Sequence, residues 1–282
     1  MTEALRSEER GAVVVPIQAA SPDGRVNGDH WNVAVEVPVQ ISINNAPFTV
    51  LLASPIQLED LARGVLLTEQ IIDDADCITS VDVSGFLQEY TVNVSVPQEA
   101  IRPERVGARS MLGNSGCGLC GLETLAQLQH RHASGDRTCV PVTDEAIRAA
   151  MIALSSNQPL NAVTHSVHAA AWCHRDGTVH VVREDVGRHN ALDKIIGALA
   201  AEDMLREPGF LVLTSRCSYE LVYKAMTANT QLLATIGAPT SMALQWADTL
   251  NLPLAALWPQ RNAPPAVVRF PSSTSTSTDH AG

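Results

Sequence analysis

The sequence predicts an α/β protein in two parts: an α+β N-terminal domain over residues 30–103 and a three-layer α/β/α domain over residues 136–270. Three observations carry this expectation. Apolar and polar residues alternate over 33–43, the period of paired strands. Strands alternate with crossover-length helices from about residue 140 onward. The length of 282 residues also exceeds what one hydrophobic core usually encloses.

In chain order, residues 1–29 read as a flexible tail carrying Pro16, Pro22, Gly24 and Gly28. Val33, Val35 and Val37, then Val39, Ile41 and Ile43, belong to a β-hairpin with Asn44, Asn45 and Pro47 at its turn. The stretch SPIQLEDLARGVLLTEQII (54–72) predicts a helix, with Leu58, Leu61, Ala62 and Val65 on one face. Ser54 and Gln57 fit a capping box, with Pro55 at the first helical position. VDVSGFLQEYTVNVSV (81–96) reads as further strands around Gly85. Residues 104–135 form a glycine- and arginine-rich connection and a linking helix marked by Leu122, Leu125 and Leu128.

The second part predicts helices over 144–155, 190–201, 218–234 and 240–250, and strands over 178–183, 210–214 and 254–258. A small-residue segment occupies 165–173, and the low-complexity end, 271–282, predicts disorder.

Composition narrows the function. Hydrophobic residues at 45% and charged residues at 17% fit a globular chain, and aromatics at 4% leave its core to Ala, Val, Leu and Ile. A net charge of −11 with no basic run excludes a DNA or RNA duplex and an anionic membrane as main partners. The N-terminus lacks the pattern of a signal peptide, and no apolar run is long enough to span a bilayer, so a cytoplasmic protein is expected. Of nineteen cationic residues only Lys194 and Lys224 are lysines.

Six cysteines do not make a disulfide scaffold, but Cys117 and Cys120 form a CxxC among Gly116, Gly118 and Gly121. Three chemistries suit such a pair. A structural zinc site needs four ligands, and Cys77, Cys139, Cys173 and Cys217 are solitary. The zinc deaminase pattern fails too, because there is no HxE and Gly116 stands where a proline belongs. Thiol–disulfide exchange suits CGLC, although the motif lies in a loop between domains rather than after a first strand. Sulfur relay needs an exposed thiolate on a mobile loop, which three glycines favour.

Two strand-to-helix junctions in the second part are rich in polar residues, and such junctions are the usual ligand sites of α/β sheets. VVREDVGRHNALDKIIG (181–197) supplies Arg183, Asp185, Arg188, His189, Asn190 and Lys194; TSRCSYELVYKA (214–225) supplies Arg216, Ser218 and Lys224. The arginines and lysines are candidates to hold phosphates, Asp185, His189 and Asn190 to shape a pocket, and Ser218 to cap a helix. A third turn, GAPTS (237–241), completes a cleft for an anionic, nucleotide-like ligand, with His165 and His168 beside it. Internal salt bridging and a snorkelling Lys224 are the structural alternatives.

Taken together, REDVGRHNALDK (183–194), CGLCG (117–121), SRCSYELVYK (215–224) and APTS (238–241) resemble the FdhD family, as do EVPV (36–39) and SPIQLEDLARGVLLTE (54–69). The resemblance covers roughly residues 30–260. It implies a sulfurtransferase that takes persulfide sulfur from a cysteine desulfurase and delivers it to the molybdenum bis-guanine-dinucleotide pterin cofactor of formate dehydrogenase.

On that resemblance Cys117 bears the persulfide and Cys120 assists. The second domain is cytidine-deaminase-like without zinc, and the protein is a homodimer binding the cofactor's guanine nucleotide ends. A cofactor-contacting stretch is carried onto Leu257, Trp258, Pro259, Gln260, Arg261 and Asn262, where the match is poor. His165 and Ser166 stand where the family has two glycines, and Ser215 where it has a third. A dithiol–disulfide oxidoreductase and a guanine-nucleotide-binding module with a structural cysteine pair remain the competing readings.

Overall fold

A computed structural model describes residues 11–16, 30–86, 89–107, 140–260 and 263–270. The predicted linking helix, Cys117, Cys120, Arg261, Asn262 and the C-terminal tail lie outside the described residues.

The first half is built on a four-stranded sheet in the order β4-β3-β6-β5, made of β3 (Val37–Ile43), β4 (Ala46–Ala53), β5 (Ser80–Phe86) and β6 (Glu89–Ser95). Val37, Val39, Ile41 and Ile43 are buried at alternate positions of β3, as the pattern predicts. Asn44 and Asn45 make the β3–β4 turn with φ of 50° and 66°, the geometry that a two-residue hairpin turn requires. Two shorter strands, β1 (Ala12–Pro16) and β2 (His30–Ala34), pair antiparallel. The stretch expected to be a flexible tail therefore contains a strand.

Helix α1 (Leu58–Thr68) buries Leu58, Leu61, Ala62 and Val65. It starts later than the capping box predicts: Gln57 sits in the left-handed region at φ 48°, and no side chain caps the helix. Ser54 is engaged elsewhere, its amide donating to Asp185 Oδ2 (3.0 Å) and its Oγ accepting from the Val186 amide (3.2 Å).

After the short helix α2 (Pro103–Gly107), the second half comprises α3 (Asp144–Ser156), α4 (Pro159–Thr164), β7 (His168–Cys173), β8 (Val179–Asp185), α5 (Arg188–Ala201), β9 (Gly209–Leu213), α6 (Tyr219–Ala225), β10 (Thr230–Thr235), α7 (Ser241–Thr249), β11 (Leu254–Gln260) and β12 (Ala263–Phe270). The mixed sheet runs β12-β11-β10-β9-β7-β8. Strands β9, β10 and β11 are parallel; β7, β8 and β12 pair antiparallel.

Its two faces are distinct. Ala169, Ala171, Phe210, Val212 and Ala234 meet Ile147, Ala150 and Leu154 of α3. Ala170, Trp172, Leu211, Leu213 and Leu233 face Leu192, Ile195, Leu221 and Ala243 on the other side. The result is three layers.

Three differences from the sequence pattern have physical reasons. The predicted helix over 218–234 splits into α6 and β10, because Thr230–Thr235 is buried on both faces and shows no strand alternation. The small-residue segment around 168–173 is a central strand, since close layer packing selects alanine there. Strand β12, unpredicted because of Pro264 and Pro265, lies at the sheet edge, where missing amide donors are tolerated.

The halves do not form separate cores. One hydrophobic cluster runs from Val39, Ile41 and Leu61 through Leu192 and Ile195 to Leu233. Its seam is the contact of α1 with α5. A Cβ on Gly64 would lie 1.8 Å from the Asp193 carbonyl oxygen, and one on Gly197 1.8 Å from that of Asp60.

Two buried charge clusters flank this seam. Lys224 Nζ, with three N–H groups to share, lies within hydrogen-bond distance of both oxygens of Asp193 (2.8 and 2.9 Å), Glu69 Oε1 (3.0 Å) and Thr68 Oγ1 (2.8 Å). Lys194 Nζ lies 2.7 Å from Asp185 Oδ2 and donates to the Ser54 and Glu184 carbonyls (both 3.2 Å). Lys194 is completely enclosed, as is Asp185.

Two outcomes are expected in urea denaturation. Gly64→Ala forces the helices apart and costs about 2–3 kcal/mol. Lys194→Met or Lys224→Met strands a buried carboxylate and costs about 3–5 kcal/mol, the signature of a structural rather than a ligand-holding lysine.

Candidate functional site

The parallel strands direct their C-terminal ends, and the turns that follow, to one edge of the six-stranded sheet. These are the β8–α5 turn (Val186, Gly187), the β9–α6 turn (214–218) and the β10–α7 turn (236–240). Because β7 is antiparallel to β8 and β9, its beginning joins them: His168 pairs with Asp185, and Ala170 with Leu213. The turns also bond to each other, Gly237 N donating to the Ser215 carbonyl (3.2 Å) and Thr240 N to that of Cys217 (3.0 Å).

The segment 183–194 divides into scaffold and rim. Asp185 Oδ1 accepts from the Gly187 amide (2.8 Å) and from Asn190 Nδ2 (2.9 Å), which fixes the turn. Asn190 Nδ2 also donates to the Leu52 carbonyl (2.8 Å), tying the turn to β4. Glu184 accepts from the Leu160 and Asn161 amides (both 2.8 Å) and so caps α4. Arg183 Nε donates to Asp60 Oδ2 (2.8 Å).

Arg183, Lys194 and Lys224 thus spend their charge on internal carboxylates. Lys194 and Lys224 are buried, which corrects the expectation that they hold phosphates. Asp185 and Asn190 shape the turn from within.

The rim keeps Arg188, which is partly buried, and Arg216, which is exposed. Arg188 bears on two neighbouring histidines. Burial first, then the Arg188 charge, lowers His168 from 6.5. His189 is lowered to about 3 by burial, then by the charges of Lys224 and Arg188. His189 is therefore a neutral ring at physiological pH. Its Nε2 is shut from solvent without a hydrogen-bond partner among the described residues, and so is Ser218 Oγ. Ser218 occupies the N-cap of α6 but its hydroxyl does not cap the helix, contrary to the expectation from sequence.

The segment 257–260 reaches the same edge, since β11 runs parallel to β10 and continues beyond it. Leu257 packs against the core, Trp258 is 64% exposed and Gln260 is exposed; Pro259 falls in the strand where its register with β12 shifts, between Trp258 and Gln260. Ser215 is buried, outside the left-handed region, and its Oγ donates to the Arg216 carbonyl (3.0 Å), so a side chain is accommodated there. His165 holds a φ of 53°, easier for glycine, and its ring lies 6.5 Å from that of Trp31.

Glu220 was not singled out from sequence, because an acidic residue in a helix's first turn is ordinary. Its carboxylate comes within 3.9 Å of His189 Nε2. Among the described residues no group of three or more His, Cys, Asp or Glu side chains is placed to hold a metal ion, and no helix is long and apolar enough to cross a membrane.

Known proteins resemble the chain in sequence and in fold. The model of the FdhD/NarQ family matches residues 34–263. A protein named sulfur carrier protein FdhD from Xanthomonas campestris pv. campestris (strain B100) is 42% identical over 222 residues, covering 79% of both chains. The protein of the same name from Xanthomonas oryzae pv. oryzae (strain MAFF 311018) is 39% identical over 254 residues and 90% of each chain.

A crystal structure described as a formate dehydrogenase accessory protein from Desulfotalea psychrophila superimposes with a TM-score of 0.68 at 22% identity, covering 93% of this chain and 97% of that one. It supports the mixed α/β fold. With a family model spanning most of its length and relatives near 40% identity, the chain belongs to the FdhD/NarQ family.

Proposed function

We propose that the protein is a sulfur carrier for formate dehydrogenase, with Cys117 as persulfide-bearing nucleophile and Cys120 as its resolving partner. The observation that carries this reading is membership of the family together with CGLCG at 117–121. The other cysteines among the described residues support it by elimination. Burial pushes the Cys173 and Cys217 thiols up to about 12. Cys77 is raised by burial and by the nearby Asp74, Asp76 and Asp73. None of these three suits a task that requires a thiolate at neutral pH.

In the proposed reaction the Cys117 thiolate attacks the outer sulfur of a persulfide on a cysteine desulfurase. A new S–S bond forms on Cys117, the donor's S–S bond breaks, and the desulfurase cysteine departs as a thiolate. The acceptor is the molybdenum bis-guanine-dinucleotide pterin cofactor, a substrate here and not a resident group.

Arg188 and Arg216 are the rim cations suited to its phosphates. His189 and Ser218 offer hydrogen bonds without charge, and Leu257–Gln260 lie where a long ligand would extend along the edge. On this reading the protein works in the cytoplasm as a homodimer.

With a cysteine desulfurase and cysteine, intact-mass measurement is expected to show one added sulfur on the wild type and on Cys120→Ala, and none on Cys117→Ala. Retention of that mass by Cys117→Ala reverses the assignment. The buried ring makes a separate prediction. Between pH 6.5 and pH 3 the unfolded His189 carries a proton and the folded one does not. Stability therefore falls as pH drops through that window, by about 1.4 kcal/mol per pH unit for this group. His189→Gln removes that component, measurable as a shallower loss of urea resistance between neutral and acidic buffer.

A further inference from the structure

Where the first turn of α5 meets the start of α6, the polar groups behave unlike those around them. Asp185, Asp193 and Glu184 each accept at least two hydrogen bonds from within the chain. Glu220, whose side chain is only 10% exposed, accepts none among the described residues. Its charged-type neighbour, His189 Nε2 at 3.9 Å, is too distant for a hydrogen bond, and the ring is neutral, so the contact is not an ion pair. His189 Nε2 and Ser218 Oγ are unpaired beside it. A nearly buried carboxylate without donors is costly. At the ligand edge of a sheet, such a group is an acceptor matched to donors that the chain does not supply.

The chemistry of the cluster limits what those donors can be. A carboxylate presents two oxygens side by side and best accepts two parallel N–H groups. A guanidinium would satisfy it, but the positive charges of Arg188 and Lys224 bear on this same pocket. A neutral ring carrying an N–H next to an amino group fits better. That is the 2-amino-4-oxopyrimidine edge, common to guanine and pterin. Adenine sets its amino group beside ring nitrogens that accept, so one carboxylate oxygen would face a lone pair.

We propose that Glu220 is a specificity-determining residue that reads the 2-amino-4-oxopyrimidine edge of the ligand, with His189 and Ser218 bonding its neighbouring ring atoms. This rests on the nucleotide–pterin reading above and adds the residue that discriminates.

Calorimetric titration of the full-length protein with GDP, IDP, ADP and 6-hydroxymethylpterin tests it. IDP lacks only the 2-amino group, and the wild type is expected to bind GDP at least about tenfold more tightly than IDP, the worth of one hydrogen bond to a charged acceptor. Glu220→Gln is expected to lose that preference and to gain relative affinity for xanthosine diphosphate, whose 2-oxo group accepts from the new amide. A merely structural Glu220 would show no such exchange.

If GDP shows the 2-amino preference, the edge read is guanine. If instead pterin binding alone depends on Glu220, the edge is pterin; either outcome supports the proposal. Should GDP and pterin bind with no preference over IDP and no response to Glu220→Gln, the role of Glu220 is overturned while the ligand reading stands. Failure of all four compounds to bind the wild type overturns both. The GDP–IDP comparison and that of 6-hydroxymethylpterin with 6-hydroxymethyllumazine, in which an oxo group replaces the 2-amino group, need no variant, so if Glu220→Gln folds poorly, absence of preference in both pairs overturns the proposal.

Discussion

The contact between α1 and α5 is the constraint on which the rest of the molecule depends. At Gly64 and Gly197 the helix backbones come so near that a methyl group on either would overlap the other's carbonyl oxygen. Helices this close exclude water from the residues around the crossing, and Asp193 and Asp185 are caught inside. An enclosed carboxylate is tolerable only with a cation and additional donors. Lys224 and Lys194 provide the cations, each with further acceptors in reach. An ammonium is compact and its donors rotate, whereas the flat fork of an arginine needs more room. The chain's only two lysines are both placed here.

This seam also sets the geometry of a site that lies mostly on the other half. Asp185 is held by Ser54 and Lys194 while it holds Gly187 and Asn190. Asn190 in turn reaches the Leu52 carbonyl of β4. The direction in which Arg188 and His189 leave the turn is therefore fixed by strand β4 and the corner after it. The N-terminal half contributes little to the rim directly, yet the rim would lose its form without it. This dependence makes the two sheets one mechanical unit.

Much of the fold was legible because local pattern and tertiary environment agree. Val37, Val39, Ile41 and Ile43 alternate on a half-exposed sheet, and Asn44–Asn45 match the turn they make. Legibility failed where both faces of an element are buried, as in β10, or where an edge excuses prolines, as in β12. It failed differently at Ser54, whose capping pattern is correct by spacing but whose hydroxyl and amide are claimed by residues more than a hundred positions away. In the candidate site, the fold brings the segments 183–194 and 214–225 to one sheet edge but turns several of their charged side chains inward. Residue type shows that Lys194 can bind an anion; only the fold shows that the anion is Asp185.

That distinction separates scaffold from ligand-facing groups more sharply than charge does. Arg183, Lys194 and Lys224 looked functional because cations gather near phosphates, but each is satisfied within the chain. Glu220 drew no notice, and at this edge it stands with His189 Nε2 and Ser218 Oγ, which lack hydrogen-bond partners among the described residues. Long-range attraction also works against a polyanionic ligand here, because the chain carries a net charge of −11. On the proposed reading, recognition comes from contact: two arginines at the rim, hydrogen bonds from uncharged groups, and a carboxylate that rewards the correct ring edge. An acidic carrier built this way would discriminate at short range, where a wrong ring would leave the Glu220 carboxylate without donors and be rejected for that reason.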